Sequence, residues 1–444
     1  MKRKIVAAAL ALALTLSLGA GAALADEQQP LEDTGAAAAG SESADGSAAG
    51  EGQEDSSGQE TPAEEEAPSL AGPDAQMEKE EGDHAPAYTP DPVGQISFAN
   101  LERRLRESNL NVLALEENIL ALESIDYESQ KEKAGDLMSS LAELVWLDPG
   151  NMELQKSYQA AADAYDALRK GELQKDNEGV IWQLNNAQDQ IVLLGESLYI
   201  GILKMETQEA ALQRQLAALN RTVEEMELRY QLGQVSALQL EQAKAGRTSL
   251  ISGLETLQMN IHTYKIQLES MIGAEMKGEI QLGAAPSVAG KQLDTMDLEA
   301  DLKTAKEKSY ELYDADETLD DAIDDYVKNV TTATEKTCKH QATAARITHS
   351  AAYQNYELKF RGLFDQVQDC RQILSAAQVS LASEEAAYAA AALKYEQGTI
   401  SKNKLLEAED ALDTAREQVE TASVDLFSAY NTYCWAVQHG IINN

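Results

Sequence analysis

Among the 444 residues, the metal-ligating side chains that fall nearest one another are Cys338 and His340, with His349 further on. In a helix, positions i and i+2 point to different sides, so this thiol and imidazole do not converge on one ion. The carboxylates Asp314, Asp316, Glu317, Asp320, Asp321, Asp324 and Asp325 are the oxygen donors that calcium takes. They lack the glycine and loop spacing of an EF-hand, and read as a solvated helix face or tip. No Ser-His-Asp or Cys-His arrangement, phosphate loop or glycine-rich dinucleotide fingerprint stands out. His84 lies in a low-complexity segment and His439 near the chain end. No enzyme activity, metal or cofactor is expected. Cys338, Cys370 and Cys434 are too few for a disulfide framework and sit in helical contexts, where a small hydrophobe is the default reading.

What recurs in the chain is a turn. The stretch "YQLGQVSALQLEQA", Tyr230 to Ala243, returns as "YEQGTISKNKLLEA", Tyr395 to Ala408, at an offset of 398 − 233 = 165 residues. The shared pattern Tyr-x-x-Gly-x-[Val/Ile]-Ser has a mechanical reason. Gly233 and Gly398 can take the left-handed conformation that ends a helix, and Ser236 and Ser401 can cap the next one. Ser236 with Gln239 makes a capping box. After each turn, apolar or large side chains follow at a 3-4 spacing: Leu240, Ala243, Leu250, Leu254, Leu257, Ile261, Tyr264, Leu268 and Met271, then Leu405, Ala408, Ala415, Val419, Ala422, Leu426, Ala429, Tyr433 and Ala436. Coiled-coil heptads alone would prove little; the turn at the same distance before them makes the two stretches copies of one packing face.

The elements around these turns are read as long helices. Seven of the nine prolines precede Ser97, leaving only Pro149 and Pro286 beyond it, and proline in a helix interior costs about 3 kcal/mol. Nothing alternates with period two for long enough to suggest a strand. Residues 190–229 alone would extend roughly 60 Å at 1.5 Å per residue. "LERRLRESNLNVL", from Leu101, aligns with "DLKTAKEKSYELY", from Asp301, at an offset of 200, so copy one holds 200 − 165 = 35 more residues than copy two. The excess is placed within 126–180, where "WLDPGN" breaks the helix and "KDNEG" offers a second break.

The start of the chain differs in kind. Lys2, Arg3 and Lys4, an apolar run and Ala23-Leu24-Ala25 read as a secretory signal over 1–25. Residues 26–95 read as a disordered acidic tether: 26–93 carry nineteen Asp or Glu against Lys79 alone, too little apolar surface to offset the ordering entropy. The expected organisation continues with a helical repeat over 96–273, a linker over 274–296 and a second repeat over 297–440. From Pro92 onward there are 36 − 4 = 32 basic and 75 − 19 = 56 acidic residues, net −24. Such a field makes nucleic acid and anionic lipid surfaces poor partners. No later apolar run is long enough for a membrane-spanning helix.

Two copies of a long helix, a Tyr-x-x-Gly-x-x-Ser turn and a heptad helix, opened by "ISFANLERRLRESNLNV", resemble the TolC-type outer-membrane efflux family over roughly residues 97–440. The resemblance implies an all-α tube of very long antiparallel helices, built as a homotrimer in which two repeats per chain make a twelve-helix duct. It also implies that Tyr230, Gly233 and Ser236 form one docking tip for a membrane-fusion adaptor and Tyr395, Gly398 and Ser401 the other, with cargo delivered by an inner-membrane pump. Tyr230 and Tyr395 are read as adaptor contacts or as packing for the turn. An entrance constriction falls at Gln239, Gln242, Lys404 and Glu407, where Glu407 is the one acid. The departure from the family is the membrane barrel. Where its strand hairpins belong, "SQKEKAGDLMSSLAELVWLDPGNMELQKSYQAA" and "DADETLDDAIDDYVKNVTTATEKTCKHQATAA" are polar and helix-compatible, so a tube without a lipid-facing barrel is expected, placed in the cell envelope. The reading from another class is a secreted coiled-coil scaffold that keeps the duplicated fold without transport.

Overall fold

The computed structural model describes residues 90–442, which belong to the second of two units, His84–Asn444. The signal and all but the last residues of the tether lie outside the described residues. Among those described, the helices are α1 (Phe98–Ser108), α2 (Leu110–Glu123), α3 (Tyr127–Leu147), α4 (Met152–Arg169), α5 (Glu172–Gln231), α6 (Ala237–Met271), α7 (Gly290–Asp294), α8 (Leu298–Lys308), α9 (Tyr310–Lys328), α10 (Glu335–Glu396) and α11 (Lys402–His439). The one departure from an all-α fold is a parallel ribbon of β1 (Gln95–Ile96) and β2 (Gln281–Leu282), with Gln95 opposite Gln281. Two-residue strands are too short to leave a period-two signal. They nevertheless tie the last residues read as tether to the segment read as linker.

The body is a row of four long helices in the order α6–α5–α11–α10. α5 and α10 have 60 and 62 residues, each about 90 Å long at 1.5 Å per residue. Every heptad position named above is buried or half-buried, with Leu240, Ile261, Leu268, Ala415, Ala422, Leu426, Ala429, Tyr433 and Ala436 fully so. Ion pairs follow the seam between α5 and α11: Arg221 with Asp410, Arg214 with Glu417, and Lys204 Nζ with Asp425 Oδ1 at 2.8 Å. The two numbers of each pair add to nearly the same total, as antiparallel neighbours require. α1 and α2 cover α5, while α8 and α9 cover α11 and α10 respectively.

Each copy contains a break that periodicity alone does not reveal. α1 ends and α2 begins at Asn109, whose extended backbone (φ −75°, ψ 117°) is matched at Ser309 between α8 and α9 (φ −75°, ψ 115°). These residues stand at the offset of 200. Asn109 Oδ1 accepts from Asn111 N and Val112 N, and its Nδ2 donates to Met271 O at 3.0 Å. The signal for the break is the residue type, since Asn and Ser both favour the position before a helix.

The extra length of copy one is the α3–α4 hairpin. "WLDPGN" does break the helix, but "KDNEG" lies inside α5, and the second break falls at Gly171 (φ +72°). Tertiary packing overrides the weak helix propensity of Lys175–Gly179. Asn177 Nδ2 donates to Tyr127 Oη at 2.9 Å, and Gly179 lies against Tyr313, whose hydroxyl would stand 2.9 Å from an added Cβ. The segments read as replacing the barrel strands are helices here: α3, α4, most of α9 and the start of α10. Among the described residues no helix is long and apolar enough to cross a membrane.

The core lies where the covering helices meet the row. Leu101 and Leu105 pack with Val192, Leu193, Tyr199, Ile202, Leu268, Ile272 and Trp435, while Leu302, Leu312, Tyr356, Phe360, Val367 and Tyr433 fill the second copy. Glu196 is buried between them and accepts from Asn431 Nδ2 (2.8 Å) and Trp435 Nε1 (2.6 Å). Burial raises its pKa, against the lowering effect of these two bonds. A carboxyl whose folded pKa exceeds its unfolded value stabilises the fold less as pH rises between the two values. Glu196→Gln is therefore expected to raise Tm at pH 7, with a gain that shrinks toward pH 4. A thermal melt series over that range checks it; a gain that grows on acidification would contradict the assignment. Asp189 behaves oppositely: the opposing effect of burial is overcome by bonds from His439 Nδ1 (2.7 Å) and Arg106 Nη2 (2.7 Å), which lower its pKa.

Candidate functional site: the paired turns

The two turns are built by the same hydrogen bonds. Gly233 has φ +69° and Gly398 φ +68°. Gly233 N donates to Tyr230 O (2.9 Å) and Gln234 N to Arg229 O (2.8 Å), closing the end of α5; Gly398 N to Tyr395 O and Thr399 N to Lys394 O, both 2.9 Å, close α10. These bonds satisfy carbonyls that a helix end leaves orphaned. Ser236 Oγ then accepts from Gln239 N, with Gln239 Oε1 accepting in return from Ser236 N at 2.9 Å; Ser401 Oγ accepts from Lys404 N. Nothing lies within 4 Å of a Cβ added to either glycine. Both turns are therefore set by their own residues and have open surroundings.

Tyr230 and Tyr395 contribute backbone carbonyls to the turns, while their side chains are 46% and 40% exposed. The turns stand side by side because α5 and α11 are neighbours, and Asn403 Nδ2 of the second turn donates to Glu225 Oε2 beside the first at 3.2 Å. The residues placed at the constriction are exposed but differently engaged. Gln239 is held by the capping box, Lys404 Nζ pairs with Glu407 Oε2 at 2.5 Å, and Gln242 is exposed in the second turn of α6. Glu407 thus has a cation of its own, which offsets the one carboxylate expected there.

The copies differ in one respect that the motif does not carry. Leu232 and Leu238 are exposed on the first turn, where the second has Gln397 and Asn403 at the offset of 165. Charges around the first turn are paired: Arg229 with Glu225, and Lys244 Nζ with Glu227 Oε1 at 3.0 Å. Such exposed pairs contribute little to stability, and with Glu224 and Glu241 also present the surface beside the two leucines is acidic on balance. Elsewhere, His349 Nε2 lies 2.6 Å from Asp316 Oδ1, and among the described residues no group of three or more His, Cys, Asp or Glu is placed to hold a metal.

No protein-family model matches the sequence, and no curated protein matches it. The structure is similar to that of the outer-membrane protein VceC from Vibrio cholerae, at 14% identity and a TM-score of 0.44, over 77% of this chain and 96% of that one. It is similar to CusC, a transmembrane channel, at 14% identity and a TM-score of 0.43, again over 77% and 96%. With the outer-membrane channel MtrE from Neisseria gonorrhoeae it shares 12% identity at a TM-score of 0.41, over 77% of this chain and 89% of that one.

Proposed function

We propose that this chain is the duct of an export system in the cell envelope. Three copies close into a tube, and the paired turns at Gly233 and Gly398 form the rim on which a membrane-fusion adaptor docks to pass cargo from an inner-membrane pump. The protein works by enclosing a passage and presenting a rim, without bond-making chemistry.

The observation that carries this reading is the open row of helices. α6 and α10 are its end members, and α10 keeps Ile347, Leu358, Ile373 and Val379 in solvent, the second and last each 71% exposed. At 3.6 residues per turn these four fall within about 120° of one another around the helix. At the other end, Ile251 and Met259 of α6 are exposed in the same way. These apolar side chains alternate with polar ones such as Gln354, Asp365 and Asp369, and closing α10 of one copy on α6 of the next would cover the free ends of both rows at once.

Leu358→Glu with Val379→Glu is expected to reduce the assembly to single chains while helicity is unchanged, because two buried unpaired carboxylates per contact are not tolerated. Val327→Glu, exposed but off the row, serves as control and is expected to assemble normally. Sedimentation velocity reads the outcome. Full assembly of the edge variant would remove α10 from the contact and overturn the ring.

A further inference from the structure

We infer that the hollow where the ends of α8 and α11 meet α5 is a binding site for a neutral sugar ring. Its volume is about 280 Å³, just under the range of about 300–1,000 Å³ that drug-sized ligands occupy, so it suits one ring and not a chain. Trp182, Asn185, Asn186 and Asp189 reach it from one face of α5, at helical spacing, while Glu307 with Lys308 ends α8 and Gln438 with His439 ends α11. Both copies therefore contribute, and no single stretch of sequence marks the place.

One wall is fixed before any ligand arrives. Asp189 accepts from Arg106 Nη2 and His439 Nδ1 at 2.7 Å each, and the His439 ring lies on Trp435 with centroids 4.4 Å apart. Trp182 packs against Tyr313 and Tyr310, at 4.6 and 6.1 Å between centroids, and stays half-buried, so part of its indole lines the hollow. Opposite this wall stand groups with nothing to bind. Among the described residues the side-chain amides of Asn185, Asn186 and Gln438 have no hydrogen-bond partner, although Asn186 is half-buried.

The chemistry of the lining selects the ligand. Each amide carries donors and an acceptor side by side, the combination that adjacent hydroxyls, themselves donors and acceptors, satisfy. The uncovered indole surface takes the C–H face of a sugar ring. Trp182 is the one apolar side chain in the lining, too little for a hydrophobic ligand. The charges cancel: Glu307 stands beside Lys308, and Asp189 is answered by Arg106 and His439. The acidic field of the chain opposes phosphates and carboxylates, while Lys308, without an ion-pair partner among the described residues, opposes a cation. A neutral polyol is what these groups fit. A free sugar and the end of an envelope glycan share that chemistry.

Saturation-transfer NMR of residues 26–444 with glucose or N-acetylglucosamine reads the free sugars, and maltotriose or chitotriose presents the same rings at a chain end. Transfer is expected at roughly millimolar affinity. Equal transfer to single sugars and trimers would identify a chain end as the ligand, and transfer to single sugars alone a free one; both support the site. Asn186→Leu/Gln438→Leu should weaken binding on the order of tenfold, through the hydrogen bonds lost, and Asn260→Leu, exposed on α6, should leave it unchanged. Circular dichroism shows that the variants fold. With fluorotryptophan at the three tryptophans, the sugar is expected to move the fluorine resonance of Trp182 and not that of Trp146. Absence of transfer to every sugar, undiminished binding by the double variant, or a shift at Trp146 instead of Trp182 overturns the proposal. One chain supplies every residue of the hollow, so the result is independent of whether the ring forms.

Discussion

Gly440→Ala is expected to destabilise the fold by about 3 kcal/mol or more, and Gly398→Ala by about 1 kcal/mol. Both glycines hold a left-handed backbone, φ +70° and +68°, so both substitutions incur the cost of a Cβ in that conformation. Only Gly440 is also packed against another main chain. A Cβ there would overlap Ser309 N and Lys308 C, atoms that cannot swing aside as a side-chain end can. Tyr356 Oη, 3.1 Å from Gly440 O and 3.0 Å from Ala305 O, holds the same junction from the other side. Thermal and denaturant melts of the two variants provide the comparison. Equal losses would mean that the close approach of α11's end to the α8–α9 break contributes little.

Glu269→Ala should cost about 3 kcal/mol, because it would leave two buried donors and one part-buried donor unpaired, at about 1–3 kcal/mol for each buried one. The carboxylate is 3% exposed and accepts from Gly278 N (2.6 Å), Glu279 N (3.0 Å) and Ile280 N (3.0 Å). Those amides lead directly into β2, so their release should also undo the ribbon between Gln281 and Gln95. Hydrogen exchange at residues 278–283 is expected to accelerate in the alanine variant and less in Glu269→Gln, which keeps an acceptor oxygen. Unchanged protection in both would place the anchoring of this segment elsewhere, with Tyr199 as the other group that reaches it, through Gly283 O at 2.7 Å.

The features that were legible in the sequence are those that local chemistry dictates. A glycine needed at positive φ and a serine needed at a cap leave their marks at Gly233, Ser236, Gly398 and Ser401, and a proline-free run of good helix formers marks the long helices. Asn109 and Ser309 carried a comparable signal, as capping residues at the offset of 200, but the match of the segments around them reads as continuous helix. "KDNEG" misled because its local signal for a turn is outweighed by Tyr313 and Tyr127, residues far off in sequence. The ribbon and the three amides around Glu269 depend on contacts between distant segments, which periodicity does not encode. Nor does a heptad pattern say which helices end the row; the exposed stripe on α10 became visible only once its neighbours were placed.

The tube is the central claim, and the absolute mass of residues 26–444 by light scattering in detergent-free buffer tests it most directly. A particle of three chains is expected. A stable single chain would contradict the duct and favour a secreted coiled-coil scaffold.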